Sequence, residues 1–389
     1  MNESIAVIGL GFGDCGKGMV TSYLCSQTEN PVVVRFSGGH QAGHTVYHKN
    51  GEGHICSNFG AGVLQGVPTF WSDKCTVDPI GIVNEMDALE QIMGEHIIDI
   101  ILYIDKNAPV TTPYDKEMNK IKHDINKHGT CGVGFGTTIQ REKSHVHLHF
   151  EDLYNPVVLE IKLKMIQKYY GYEHFVRNGR TIDLTEFKDA VSLLTSDKYV
   201  FHDTVIPSDD TSLPNNKNII LEGSQGLLLD QDIGFFPHVT RSKVGASALE
   251  EQDIPLDKVY YVTRAYQTRH GNGPMTNEHL GINLKNFGTE SNETHEFQGE
   301  FRKSILDLDL LKYGLEIDRR DLINVEQYLV ITCLDQVMQY AYTYKGELIT
   351  TKNEDEFVKN IVDILGFTDN VYLSRSPKSE LELWEGGKS

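Results

Sequence analysis

The chain has 389 residues, 39% hydrophobic and 23% charged, with only 12 prolines, a composition that excludes wholesale disorder and suits one large α/β body. Its 36 basic against 55 acidic residues leave a formal charge of −19, which repels a nucleic-acid backbone, so a nucleotide partner is expected to be a free small molecule. Apolar runs fall short of the roughly 20 residues needed to span a bilayer, and Met1-Asn2-Glu3-Ser4 carries no basic region, so neither a membrane segment nor a signal peptide is expected and the chain is assigned to the cytosol.

In chain order, residues 4–8 form a short apolar run that ends in glycines and is followed by a helical pattern over 17–25, which predicts strand, turn and helix. A second buried strand, 32–36, runs straight into Ser37-Gly38-Gly39-His40-Gln41-Ala42-Gly43-His44-Thr45. Further strands are predicted at 98–104, 219–221, 259–263 and 328–332. Residues 151–199 read as helical insertions and 208–217 as a polar surface loop. This spacing predicts an α/β fold with a mainly parallel central sheet, helical crossovers and inserted subdomains. Ligands of such open sheets sit beyond the carboxyl ends of the strands, where both glycine loops fall. Six cysteines (Cys15, Cys25, Cys56, Cys75, Cys131, Cys333) lack CxxC spacing and read as reduced thiols.

Residues 9–18 place five glycines and Lys17 directly after the first strand. Glycines let successive backbone N–H groups face an anion, and the lysine adds a point charge. From Gly11 the segment nearly matches G-x-x-x-x-G-K-[ST], but Gly18 lacks the hydroxyl that holds magnesium in a P-loop. Asp14 is the informative departure: a carboxylate inside a phosphate loop is unfavourable unless it binds metal or moves a proton. In the second loop, His44 is the candidate proton donor, because imidazole titrates near neutrality and hydrogen-bonds phosphoryl oxygens.

Together the two loops resemble the adenylosuccinate synthetase family. Its Gly-Asp-Glu-Gly-Lys-Gly stands here as Gly13-Asp14-Cys15-Gly16-Lys17-Gly18, and its Gly-Gly-His-Asn-Ala-Gly-His-Thr as Gly38-Gly39-His40-Gln41-Ala42-Gly43-His44-Thr45. Similar matches follow in the family's order. They are Gly129-Thr130-Cys131-Gly132-Val133-Gly134, Glu222-Gly223-Ser224-Gln225-Gly226, Pro237-His238-Val239-Thr240 and Thr268-Arg269-His270-Gly271-Asn272-Gly273-Pro274. The resemblance covers residues 4–380 and is poorest over 150–215. It implies a single P-loop-related domain over 1–389, a homodimer, and a ligase that phosphorylates O6 of a 6-oxopurine nucleotide before L-aspartate displaces phosphate.

By the same resemblance, Asp14 would take the purine N1 proton and His44 would donate to the transferring phosphoryl group. Magnesium would be held by Asp14 and the Gly43 carbonyl. Gly13, Cys15, Gly16, Lys17, Gly18 and Thr45 would cradle the phosphates of the donor nucleoside triphosphate, and Asp335 would read its base. Gln41, Thr130, Cys131, Gln225 and Thr240 would bind the acceptor nucleotide, Thr130 and Thr240 at its monophosphate and Gln225 at its O6 region, while Gly299 and Arg302 would bind aspartate.

Several positions depart from the family pattern. Its arginine-rich aspartate loop becomes Gln298-Gly299-Glu300-Phe301-Arg302-Lys303, its acceptor-facing Asn becomes Gln41, its phosphate-loop Thr becomes Cys131, and its Thr-Lys-Leu-Asp becomes Thr332-Cys333-Leu334-Asp335. These joint changes resemble the viral branch that joins aspartate to dGMP, with ATP or dATP as donor. Some members of that branch carry serine at the loop aspartate, whereas this chain keeps Asp14, so IMP with GTP is the alternative. Retention of Asp14, Lys17 and His44 argues against a regulatory paralogue without turnover. His145-Val146-His147-Leu148-His149 puts three imidazoles on one face of an extended segment, for which a polar strand face is the simpler reading than a metal site. Asp307-Leu308-Asp309 reads as a turn or helix start.

Overall fold

The structure is a computed structural model that describes residues 3–94, 97, 100–126, 131–195, 205–208, 218–250, 254–285, 299–378 and 380–386. It opens with β1 (Ser4–Gly9), buried along its whole length as a strand covered on both faces must be. Then come α1 (Lys17–Gln27), β2 (Pro31–Arg35), the hairpin β3 (His44–Tyr47) and β4 (Gly53–Cys56), β5 (Thr69–Trp71), α2 (Pro79–Met93) and β6 (Leu102–Asp105). A helical stretch follows: α3 (Pro113–Asn126), α4 (Phe135–Lys143), α5 (Pro156–Tyr170), α6 (Tyr172–Arg177) and α7 (Thr185–Thr195). The chain then returns to the sheet through β7 (Val205–Ser208), β8 (Asn218–Gly226), α8 (Ser247–Glu250) and β9 (Lys258–Arg264). The remainder is β10 (Gln267–His270), β11 (Phe301–Ser304), β12 (Leu306–Asp307), α9 (Leu308–Asp318), β13 (Glu326–Thr332), β14 (Ala341–Tyr344), β15 (Glu347–Thr350), α10 (Glu354–Leu365), β16 (Val371–Leu373) and β17 (Glu382–Leu383).

Among the described residues, ten strands form one sheet in the order β17-β16-β13-β9-β1-β8-β2-β5-β6-β7. Every neighbouring pair is parallel except the edge pair β16–β17. Alternation along β1 divides the core. Val7 joins Val33, Val262 and Val330 under Met19, Val20 and Leu24 of α1. Ala6 and Ile8 face the other way, onto Leu308, Leu311 and Leu315 of α9 and Phe357 and Ile361 of α10. A further cluster gathers α2, α3, α5 and α7 around Met86, Tyr114, Leu163 and Phe187.

The mainly parallel sheet and the helices within 151–199 match the sequence expectation. The 98–104 strand begins later, at Leu102, with residues 98 and 99 outside the described part, and most of the 208–217 loop lies outside it too. Asp307 is indeed a helix start: its carboxylate accepts Leu310 N–H at 3.1 Å as the N-cap of α9. Among the described residues no helix is long and apolar enough to cross a membrane. None of the six cysteines forms a disulfide.

Candidate active site

Strands β13, β9, β1, β8 and β2 stand side by side, and the loops leaving their carboxyl ends line one cleft of ≈ 1120 Å³. The glycine loop after β1 and the histidine loop after β2 meet in it, opposite segments that follow β8, β9 and β13.

The glycine loop turns through left-handed residues Gly13 (φ 92°), Asp14 (φ 52°) and Gly16 (φ 92°). Aspartate is one of the few side chains that tolerate this region. The loop's carbonyls are held from behind. Gly11 accepts Leu228 N–H at 3.1 Å, Gly13 accepts the Thr268 hydroxyl at 3.2 Å, Asp14 accepts Arg264 Nε, and Cys15 accepts the Thr332 hydroxyl at 2.9 Å. Because N–H and C=O of a trans peptide point in opposite directions, this anchoring turns N–H groups toward the cleft. Lys17 is buried, its Nζ 3.9 Å from Cys15 Sγ.

Gly18, the position where the P-loop pattern fails, packs against the second loop. A Cβ at Gly18 would lie 2.7 Å from His44 Cβ, closer than any side chain permits. The hydroxyl is missing because His44 occupies its space.

The two histidines of the second loop have different environments. His40 is buried and holds the chain together, with Nε2 3.0 Å from the Val133 carbonyl and Nδ1 3.3 Å from the Thr76 hydroxyl. His44 Nδ1 lies 2.5 Å from Glu222 Oε1, while its buried Nε2 has no partner among the described residues and the side chain lines the cleft. Burial resists ionisation of Glu222, but His44, Arg35 and the Ala61 N–H at 3.1 Å hold its carboxyl below the usual range. Burial likewise draws the His44 imidazole below its ordinary value, outweighing the pull of the Glu222 carboxylate. An ionised Glu222 fixes the Nδ1–H tautomer and leaves Nε2 as the ring's acceptor.

Of the other predicted residues, Asp14, Cys15, Gly16, Lys17, Gly18, Gln41, Cys131, Gly43, Thr45, Gln225, Thr240 and Asp335 all line the cleft. Gly13 stands behind it, and Thr130 lies outside the described residues. Neither nitrogen nor oxygen of the buried Gln41 amide has a partner among the described residues. Burial raises the Asp335 carboxyl. Gly299 (φ 83°), just before β11, and Arg302, within β11 where it pairs antiparallel with β10, are not among the cleft-lining residues. Arg302 bonds Glu278 Oε1 at 3.0 Å and the Gly271 and Gly273 carbonyls at 2.6 and 2.9 Å. Its cross-strand partner Arg269 does line the cleft, over the Phe12 ring at 4.3 Å, and burial with the nearby Arg302 charge draws it down to about 10. In the sequence, Glu222 and Arg269 stand within motifs, and neither is given a role by its spacing alone. In α4, Arg141 is fully buried, with Nε 2.9 Å from Asp115.

A family model described as adenylosuccinate synthetase matches residues 6–368. The chain is 29% identical to adenylosuccinate synthetase of Buchnera aphidicola over 383 residues, covering 94% of this chain and 86% of that protein. It is 30% identical to the Thermotoga maritima enzyme of the same name over 330 residues, covering 81% and 78%. Fully ligated adenylosuccinate synthetase from Plasmodium falciparum shares the fold with a TM-score of 0.77 at 18% identity, over 98% of this chain and 99% of that one. Succinoaminodeoxyadenylate synthetase of cyanophage S-2L, solved with dGMP and dATP, gives 0.63 at 15% identity, over 98% and 95%.

The contact at Gly18 yields a direct test. Gly18→Ser, which completes the P-loop pattern, is expected to destabilise the fold by about 1–3 kcal/mol through overpacking against His44. A denaturant-midpoint comparison checks it, and an unchanged midpoint contradicts the packing argument.

Proposed function

The chain belongs to the adenylosuccinate synthetase family of carbon–nitrogen ligases, which join aspartate to a purine nucleotide, and we propose that it does so by phosphorylating O6 of a 6-oxopurine nucleotide. The observation that carries this reading is the buried Glu222–His44 pair, whose Nε2 has no partner among the described residues in a side chain that lines the cleft. Asp14 takes the N1 proton, which makes O6 a nucleophile toward the γ-phosphoryl group of the donor. Negative charge from bound phosphates counteracts the burial that depresses His44, so Nε2 gains a proton and donates it to a phosphoryl oxygen. The N–H edge of the glycine loop and Lys17 hold the donor phosphates, with Thr45 beside them. Thr240 and the phosphate loop around Thr130 and Cys131 hold the acceptor monophosphate, and Gln225 reaches the O6 region. The aspartate amine then attacks C6 and phosphate leaves.

The Asp14 carboxylate, approached by His270 Nε2 at 3.8 Å, and the Gly43 carbonyl are oxygen donors at one cleft, a set that fits a hard cation. These two groups would hold magnesium, which when bound neutralises charge between nucleotide and phosphates. The guanidinium pair Arg269 and Arg302 suits a dicarboxylate, with Arg302 exchanging Glu278 for an aspartate carboxylate and Gly299 leading into β11 beside it.

For the acceptor, the Gln41 amide supports dGMP. The 2-amino group of guanine offers a donor to Gln41 Oε1, whereas hypoxanthine, with hydrogen at C2, leaves that oxygen unpaired. Cys333 in place of lysine supports an adenine donor, ATP or dATP, read by Asp335. The second reading, IMP with GTP, is favoured by the name adenylosuccinate synthetase on the bacterial relatives. A site built for a substrate N–H rejects the analogue that lacks it by up to about 10⁴–10⁵. With L-aspartate, magnesium and ATP, turnover of dGMP is expected to exceed that of IMP by about 10² or more. Turnover of IMP alone overturns the acceptor assignment but leaves the ligase chemistry intact. Asp14→Asn or His44→Asn is expected to lower kcat by about 10²–10⁴ with little change in nucleotide KM, and near-normal turnover contradicts the proton-transfer roles of these two side chains.

The same reading includes a cytoplasmic homodimer. Val157, Ile161, Met165 and Tyr169 recur every four residues along α5 as an exposed apolar stripe, with Val157 69% exposed. Light scattering is expected to give twice the chain mass, and Ile161→Glu to shift it toward one chain. A monomeric native protein contradicts the pairing.

A further inference from the structure

Beyond the nucleotide cleft, we propose a second cation site, for a divalent transition metal of the zinc type, formed by Glu142, His147 and His149. Glu142 is the penultimate residue of α4. After it the chain reverses through His145, a non-glycine residue in the left-handed region (φ 60°), and returns extended along the helix end. Leu148 points into the core while His147 and His149, two apart, share the opposite face. His147 Nδ1 and His149 Nε2 converge on one oxygen, Glu142 Oε2, at 2.6 and 3.3 Å. The three ligand atoms lie within 4.8 Å of one another.

The other carboxylate oxygen is already oriented. Glu142 Oε1 accepts Arg141 NH1 at 2.8 Å and Leu148 N–H at 3.3 Å, and Arg141 is itself fixed by Asp115. Outer partners of this kind set a metal-ligating carboxylate in place. Two imidazoles and one carboxylate favour zinc-like ions over magnesium or calcium, which prefer all-oxygen shells, and leave at least one position to water. Each ring binds after its proton moves to its other nitrogen. His147 is 39% exposed, so an ion can enter from solvent.

A second triad, His54, Cys56 and Glu85, has a thiol in place of one imidazole, and its carboxylate is committed elsewhere. Glu85 accepts the Asn58 backbone N–H at 2.6 Å, its side-chain amide at 2.9 Å and Ser57 N–H at 3.1 Å, so its oxygens clamp a loop. An ion on the first triad would tie the end of α4 to the extended segment, which Val110 N–H holds through the Leu148 carbonyl at 2.8 Å. Gly136 and Thr137, at the start of the same helix, form part of the cleft wall. The ion thus acts as a clip on the helix that borders the nucleotide site.

The test is calorimetric titration of metal-stripped full-length protein with zinc chloride alone, in excess magnesium to mask oxygen-only sites. The His147→Ala/His149→Ala double variant is expected to lose one zinc equivalent per chain, or to bind it more weakly by about tenfold or more. Its far-UV circular dichroism and basal ligase turnover are expected to stay unchanged, because neither residue lines the cleft. Equal stoichiometry and affinity in the two proteins overturns the site. Should the double variant fail to fold, histidine ring resonances of the native protein decide: zinc must shift those of His147 and His149, and signals left in place overturn the proposal.

Discussion

The close approach of Gly18 to His44 is the constraint on which the site depends. With a Cβ at position 18 only 2.7 Å from His44 Cβ, the first turn of α1 and the start of β3 are in direct contact. That contact places an imidazole beside the phosphate loop, where a P-loop would have its hydroxyl. It also explains why glycine follows Lys17. Where a P-loop carries a magnesium-binding hydroxyl, this loop meets an imidazole supplied from another strand.

Charge balance then follows from burial. Lys17 at the start of α1, Arg35 at the end of β2, His44 at the start of β3 and Glu222 within β8 are all nearly inaccessible. A lone buried carboxylate would be costly, but Glu222 lies between His44 on one side and the Ala61 N–H on the other, with Arg35 nearby. Arg35 in turn bonds the Ala42 carbonyl at 3.0 Å within the histidine loop and stacks over Trp71 at 5.1 Å. The histidine loop is therefore fixed by the same cation that steadies the Glu222 charge. Orientation and electrostatics come from one set of contacts.

Much of this was legible in the sequence, and the exceptions have physical causes. The strand-loop-helix at residues 4–27 and the paired glycine loops declare themselves because glycine spacing and continuous apolar runs are local signals. The β5 strand Thr69–Trp71 is only three residues long, too short for any periodicity, and its identity comes from pairing with β2 and β6. Glu222 was visible as a motif letter, but its partnership with His44 spans 178 positions and exists only in the folded sheet. The family resemblance points to Arg302, whereas Arg269, its cross-strand partner in the register of β10 and β11, is the one that lines the cleft. Residue chemistry marks the candidates, and topology decides which of them face the ligand.

The central claim is that the Glu222–His44 pair serves phosphoryl transfer to the oxygen on C6. Following the fate of oxygen-18 placed at that position of the acceptor nucleotide tests it most directly, with mass spectrometry of the phosphate released in the presence of aspartate. The account predicts that the label appears in phosphate, and that Glu222→Gln slows its appearance without changing its destination. Unlabelled phosphate, with oxygen-18 retained on the purine or lost to water, would contradict it.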